Sequence, residues 1–188
     1  MSTVGVAIAV PQPYADELQR YRASFGDPLA AVIPAHITLV PPTRVDGAVD
    51  AVRAHLRQVA RRHPSFRLRL HGTATFRPTS PVVFVNVTEG ISACEMLAEA
   101  ARQGPLAQQL SFPFHPHVTV AHHLDEVALD RAYEELAGYD CAFEVDSFHL
   151  YVHGDDGVWR AVADYLLEAS TASGTRADAA GADVGSRE

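Results

Sequence analysis

Lysine is absent from this 188-residue chain, so all fifteen basic residues are arginine. That excludes Schiff-base chemistry at a lysine amine and a Walker-type phosphate loop, which depends on its lysine. Cysteine is nearly absent too. Cys94 and Cys141 stand far apart and neither has a Cys-x-x-Cys partner, which excludes a disulfide framework and a cysteine-rich zinc site. Both are expected as small buried apolar residues in a reducing compartment. Long hydrophobic runs are missing as well. The run 4–10 is too short for a signal-peptide core with its cleavage site, and no stretch approaches the roughly 20 apolar residues that span a bilayer. The expected setting is the cytoplasm, with no membrane partner. Basic charge is outweighed, 15 residues against 23 acidic ones for a net charge of −8. Such a chain is not expected to hold extended nucleic acid by phosphate attraction, although a few local groups suffice for a nucleotide or an RNA end.

What is present supports a core: 47% of the residues are apolar, enough for one large domain. Periodicity and turn residues predict strands over 4–10, 35–40 and 66–76, with helices over 14–25 and 46–63 between them. The order then restarts, with strands over 82–87, 117–121 and 142–152 and helices over 91–102 and 125–136. Gly154-Asp155-Asp156-Gly157 predicts a hairpin turn, and 158–167 a final strand or helix. The chain is thus expected to be α+β, one bilobal domain over 1–168 with an internal repeat. Its halves cover about 4–77 and 82–152, with a closing element at 158–167. From 169 to 188 the composition is that of a disordered tail.

Histidine is unusually frequent, with ten copies, and it is the side chain that titrates near neutrality. Two of the ten open a shared motif: His36-Ile37-Thr38-Leu39 in the first half and His117-Val118-Thr119-Val120 in the second. Composition alone gives about 0.1 such matches in this chain. On a strand the His and Thr share one face, roughly 7 Å apart, and the apolar pair faces the other way. His71-Gly72-Thr73 has the looser spacing, but Gly72 has no side chain to bury and the position breaks the shared element order. Two imidazoles, one neutral and one protonated, suit cleavage of a phosphodiester whose phosphorus is already bonded to a ribose 2′-oxygen. One acts as base on the attacking water and the other as acid on the leaving oxygen. A Thr hydroxyl beside each supplies a donor to the non-bridging oxygens.

The paired motifs resemble the signature of the 2H phosphoesterase superfamily, in particular its 2′-5′ RNA ligase-like, RNA 2′,3′-cyclic phosphodiesterase branch. The resemblance covers about 4–167 and includes Phe114-His115-Pro116-His117 and the late strand Val145 to Val152. It implies two antiparallel sheets facing a central groove with helices outside, and no metal or other cofactor. It implies His36 and His117 as the catalytic pair and Thr38 and Thr119 as phosphate donors. By analogy, His36 protonates the leaving ribose oxygen and His117 activates water. The implied partners are RNA 2′,3′-cyclic phosphate ends or small cyclic nucleotides, and a monomer is the default.

The chain departs from that pattern at His122, where many family members carry Arg. A protonated His122 substitutes for it, or His123 does, since simple alternation puts His123 on the face of His117 and Thr119. Arg44 and Arg77 lie near strand ends as further sources of charge. The first motif runs into Pro41-Pro42 rather than the Leu-Gly common in the branch, which bears on substrate preference. His115 is given a supporting role, while His55, His63, His149 and His153 belong to no motif. Phe112, Phe114, Tyr151 and Trp159 are core aromatics or base-stacking groups. Arg53, Arg57, Arg61 and Arg62 form a solvated helix face or a small RNA-contacting patch. Two other classes stay open. One is a metal site at His115, His117, His122 and His123, four histidines within nine residues. The other is a binding protein that keeps the groove without turnover.

Overall fold

The structure is a computed structural model and describes residues 2–47 and 49–169. In chain order the elements are β1 (Ser2–Ala9), α1 (Tyr14–Ser24), β2 (His36–Val45), α2 (Val49–Ala60), β3 (Phe66–Thr75), β4 (Val82–Glu89), α3 (Ile91–Ala101), β5 (His117–His122), α4 (Glu126–Glu135), β6 (Asp140–Val145), β7 (Ser147–His153) and β8 (Trp159–Leu166). The strands form one antiparallel sheet in the order β6-β3-β4-β5-β2-β1-β7-β8. The sheet narrows at its centre, where β2 and β5 meet through a single registered pair, Ile37 opposite Val118. The two expected sheets are therefore two four-stranded halves joined at a waist. The paired residues hold equivalent places in the two motifs, which puts the internal symmetry at that waist.

Alternation along β2 and β5 sets what each side of the waist presents. Ile37, Leu39, Val118 and Val120 are fully buried in the core, and His36, Thr38, His117 and Thr119 are partly exposed on the opposite side. The helices cover the apolar side in a crossed arrangement. Helix α1, from the first half of the chain, packs against β5, and α3, from the second, packs against β2. Helix α4 lies over β3, β4 and β5, and α2 over β8 and α3. Asp125 starts α4 by accepting the Ala128 N–H at 2.8 Å, a capping bond that replaces one a free helix end lacks. Among the described residues no helix is long and apolar enough to cross a membrane.

Strand pairing does not follow the chain-order division into 4–77 and 82–152. β3 leaves the first half to pair with β4 and β6, and β7 and β8 return to extend β1. The strand expected over 142–152 is consequently two strands, broken at Asp146 where the chain passes from one sheet half to the other. β2 runs on through Pro41 and Pro42, which lack N–H donors. The ladder accommodates them by a bulge: Val6 pairs Val40 and Val4 pairs Thr43. The turn at 154–157 joins β7 to β8, with Gly154 N–H donating to the Val158 carbonyl at 2.9 Å, and the closing element is a strand. The disorder expected over 169–188 lies, Ala169 apart, outside the described residues.

Candidate active site

His36 and His117 are the first residues of β2 and β5, and both rings are fixed in the same way. Nδ1 of His36 lies 2.8 Å from the Pro34 carbonyl and Nδ1 of His117 lies 2.7 Å from the His115 carbonyl. A carbonyl oxygen only accepts, so each Nδ1 carries the hydrogen and each Nε2 holds the free lone pair. Counting from the Ile37–Val118 pair sets His36 opposite Thr119 and Thr38 opposite His117. The cavities agree: His36 and Thr119 line one, Thr38 and His117 a second, and His36 and Thr38 a third. In a regular antiparallel ladder diagonal neighbours such as His36 and His117 sit about 7–8 Å apart, a span that one tetrahedral anion fills. Burial lowers both imidazole pKa values below the ordinary 6.5, against the opposing pull of each carbonyl bond. The Arg22 charge lowers His36 further, and the neighbouring His115 and His36 lower His117.

Aromatic rings wall the His117 side. Phe76 meets the His117 ring edge-on at 5.1 Å, Phe84 lies at 4.9 Å, and His115 stacks at 6.1 Å. His115 therefore shares the groove with His117. The cavity beyond has a volume of about 550 Å³, and Phe112, Phe114 and Arg102 contribute to its lining. Arg102 donates to the Leu39 carbonyl at 3.1 Å and lies over the Phe114 ring at 4.8 Å. On the His36 side a cavity of about 240 Å³ is lined by Tyr151 and Trp159. Trp159 approaches β1 at Gly5, where an added Cβ would meet its ring at 3.3 Å.

His122 and His123 both line the cavity of His36 and Thr119. Simple alternation fails here because β5 bulges: Val83 pairs Ala121 and Phe84 pairs Thr119, leaving Val120 extra. Val120 and Ala121 are both buried, and His122 is returned to the groove side. His123 follows at φ 54, and its ring stacks on His122 at 3.7 Å. Burial, then His123, lowers the His122 pKa. Arg77 is bound by Glu126 and Asp130 at 2.7 and 2.8 Å, on α4, and Arg44 is exposed near the end of β2. Neither lines the groove cavities. His71 faces Asp140 at 3.8 Å and Thr73 donates to the Tyr133 carbonyl, with Gly72 at φ 65 in a bulge between them. The four histidines at 115–123 separate into two stacked pairs. Among the described residues no three His, Cys, Asp or Glu side chains gather as metal ligands.

Two cations at the groove escape the sequence reading. Arg102 is one. Arg22 is the other: it lines the cavity of His36 and Thr119 and is nearly buried. Its guanidinium is held by Asp27 at 2.8 Å, by Gln19 and by the Ile33 carbonyl, so it braces the 27–33 loop that walls the site. It stands four residues after Leu18 on the buried stripe of α1, a place where a cation needs a partner.

The profile of the 2′-5′ RNA ligase superfamily matches residues 10–157. A Geobacillus kaustophilus protein named as a candidate phosphoesterase is 30% identical over 166 residues, covering 87% of this chain and 95% of its own. A candidate phosphoesterase of Bacillus licheniformis is 28% identical, covering 88% and 98%. Among solved structures, Escherichia coli LigT complexed with 3′-AMP superposes with a TM-score of 0.65 at 22% identity, covering 88% of this chain and 98% of LigT. A Thermus thermophilus protein gives 0.59 at 21%, covering 90% and 99%. These structural likenesses carry the fold, and with the matched profile and the doubled His-x-Thr motif they lead to one assignment: the chain belongs to the 2′-5′ RNA ligase superfamily of 2H phosphoesterases.

Proposed function

We propose that the protein is a metal-independent phosphoesterase that hydrolyses the 2′,3′-cyclic phosphate of RNA ends or small nucleotides. The observation that carries this reading is the matched fixing of His36 and His117, each Nδ1–H spent on the carbonyl two residues earlier. Both Nε2 atoms are thereby left for proton transfer on either side of the waist. In the roles the family resemblance implies, His117 Nε2 takes a proton from water as the water oxygen bonds to phosphorus. His36, protonated, gives its Nε2 proton to the departing ribose oxygen as that P–O bond breaks. The product is a phosphomonoester beside a free ribose hydroxyl. Thr38 and Thr119 donate to the non-bridging oxygens, and His122 and His123, which line the cavity with Thr119, supply further donors. The aromatic cavities on the two sides receive the nucleoside. The buried, free thiols Cys94 and Cys141 fit a reducing cytoplasmic setting.

The test is turnover of cyclic mononucleotides and of oligonucleotides with a cyclic phosphate end. His36→Ala and His117→Ala each remove most of the rate without unfolding the protein. Thr38→Ala and Thr119→Ala cost less, ~10²-fold, the loss of one anion donor. A His117→Ala protein at full rate overturns the proposal. Wild-type protein that binds these ligands without ever turning them over establishes a binding protein instead.

A further inference from the structure

The arginine stripe of α2 has a feature that a solvated helix face lacks. Arg53, Arg57 and Arg61 recur every four residues and line, with Tyr165 and Asp164 of β8, a cavity of about 310 Å³. None of the three has an ion-pair partner among the described residues, which they share with Arg20, Arg44, Arg62 and Arg102, whereas Arg22, Arg67, Arg69, Arg77, Arg131 and Arg160 are paired. Like charges at this spacing repel, and the chain has acidic residues in excess. Tyr165 is 5% exposed, stacked on Phe148 at 5.2 Å. Its hydroxyl and the Arg53 Nε are both buried, and neither has a hydrogen-bond partner. Buried donors are normally satisfied, and guanidinium groups offer no acceptor. The carboxylate on the wall, Asp164, is engaged by His149 Nδ1 at 2.7 Å. An oxyanion seated among the guanidinium groups gives both donors an acceptor once the Arg53 side chain turns toward it.

We propose that Arg53, Arg57, Arg61 and the Tyr165 hydroxyl form a phosphoryl-anion site separate from the histidine groove. Its ligand is a phosphate group, supplied by the backbone of a single-stranded RNA or by a free phosphorylated small molecule. Trp159, which lines the groove, and Tyr165 lie on the same strand, six residues and roughly 20 Å apart. The bulge at Val162 turns Tyr165 to the helix side beside Phe148, while Trp159 keeps the groove side beside His153. A cyclic mononucleotide in the groove therefore does not reach the site, whereas an oligonucleotide passing round the edge strand β8 does. The site stands or falls apart from the groove's chemistry, because its test needs no turnover.

The experiment follows the Arg53 Nε–H signal by NMR while inorganic phosphate is added to the full chain. A saturable shift is expected, weakened at least several-fold in Arg57→Gln and in Tyr165→Phe. Arg57 is exposed, and Phe keeps the ring that stacks on Phe148, so both variants fold. An eight-nucleotide RNA with a 2′,3′-cyclic end then separates the sources. For a strand, Arg57→Gln weakens its binding several-fold and lowers the salt slope by about 0.7, one phosphate contact. Binding of a cyclic mononucleotide stays unchanged. For a free phosphorylated molecule, the octanucleotide affinity does not move while the phosphate shift remains saturable. Absence of a saturable Arg53 shift with either probe, or a shift unaltered by both substitutions, overturns the site.

Discussion

At the scale of single residues, the groove is built from imidazoles that resist their own protonation. His36 has a folded pKa below 6.5, first through burial and then through Arg22. The unfolded chain therefore binds protons that the native state refuses, so stability rises with pH across this interval. The stabilisation is complete above about pH 6.5, the unfolded value, and is lost as pH falls through the folded value. His117 and His122 shift the same way and add to the slope. His36→Asn keeps a donor for the Pro34 carbonyl and removes the titration. Thermal unfolding of the wild type should thus fall more steeply than that of His36→Asn between about pH 7 and pH 5. Parallel curves would remove the buried-imidazole account. The same residues show what a sequence makes legible. The doubled His-x-Thr pattern is a local regularity and stands out unaided. Arg22 does not, because a lone Arg on an apolar stripe becomes intelligible only once Asp27 is known to curl back onto it.

At the scale of elements, the helix that covers β2 depends on a glycine at its entrance. Gly90 precedes α3 at φ 87, and a Cβ there would lie 2.7 Å from the Arg67 carbonyl oxygen of β3. Left-handed backbone costs a non-glycine residue ~1–2 kcal/mol, and the contact with a ladder carbonyl adds to it because backbone cannot rotate away. Gly90→Ala should lower the unfolding free energy in urea by about 2 kcal/mol or more. A neutral substitution would show that the β4–α3 corner relaxes freely. Most elements are legible from periodicity and from Gly and Pro punctuation. Those that are not share a cause in strand pairing. The bulge at Val120, which returns His122 to the groove side, exists only in the ladder with β4. Likewise β2 passes through Pro41-Pro42 because β1 absorbs the irregularity, and no local pattern announces that.

At the scale of the whole molecule, a waist of one registered backbone pair joins two half-sheets, so the backbone ladder alone is a weak link across the groove. The covalent exchange of β3 and β7 between halves and the crossed helices, α1 on β5 and α3 on β2, do the joining instead. Each half therefore takes core side chains from elements of both halves of the chain, and the buried side chains form one continuous cluster. The repeat is legible as element order, but the exchange is not, because β3 carries the same alternation whichever neighbour it meets. Unfolding should accordingly be a single transition. Leu18 of α1 is fully buried, and Leu18→Ala is expected to cost about 2–5 kcal/mol. That loss should appear equally in far-ultraviolet circular dichroism, in the near-ultraviolet signal of Trp159 on β8, and in hydrogen exchange of β4 and β5. If β4 and β5 kept wild-type protection while β1 and β8 lost theirs, the halves would be folding separately, and the crossed helices would not be what holds His36 against His117.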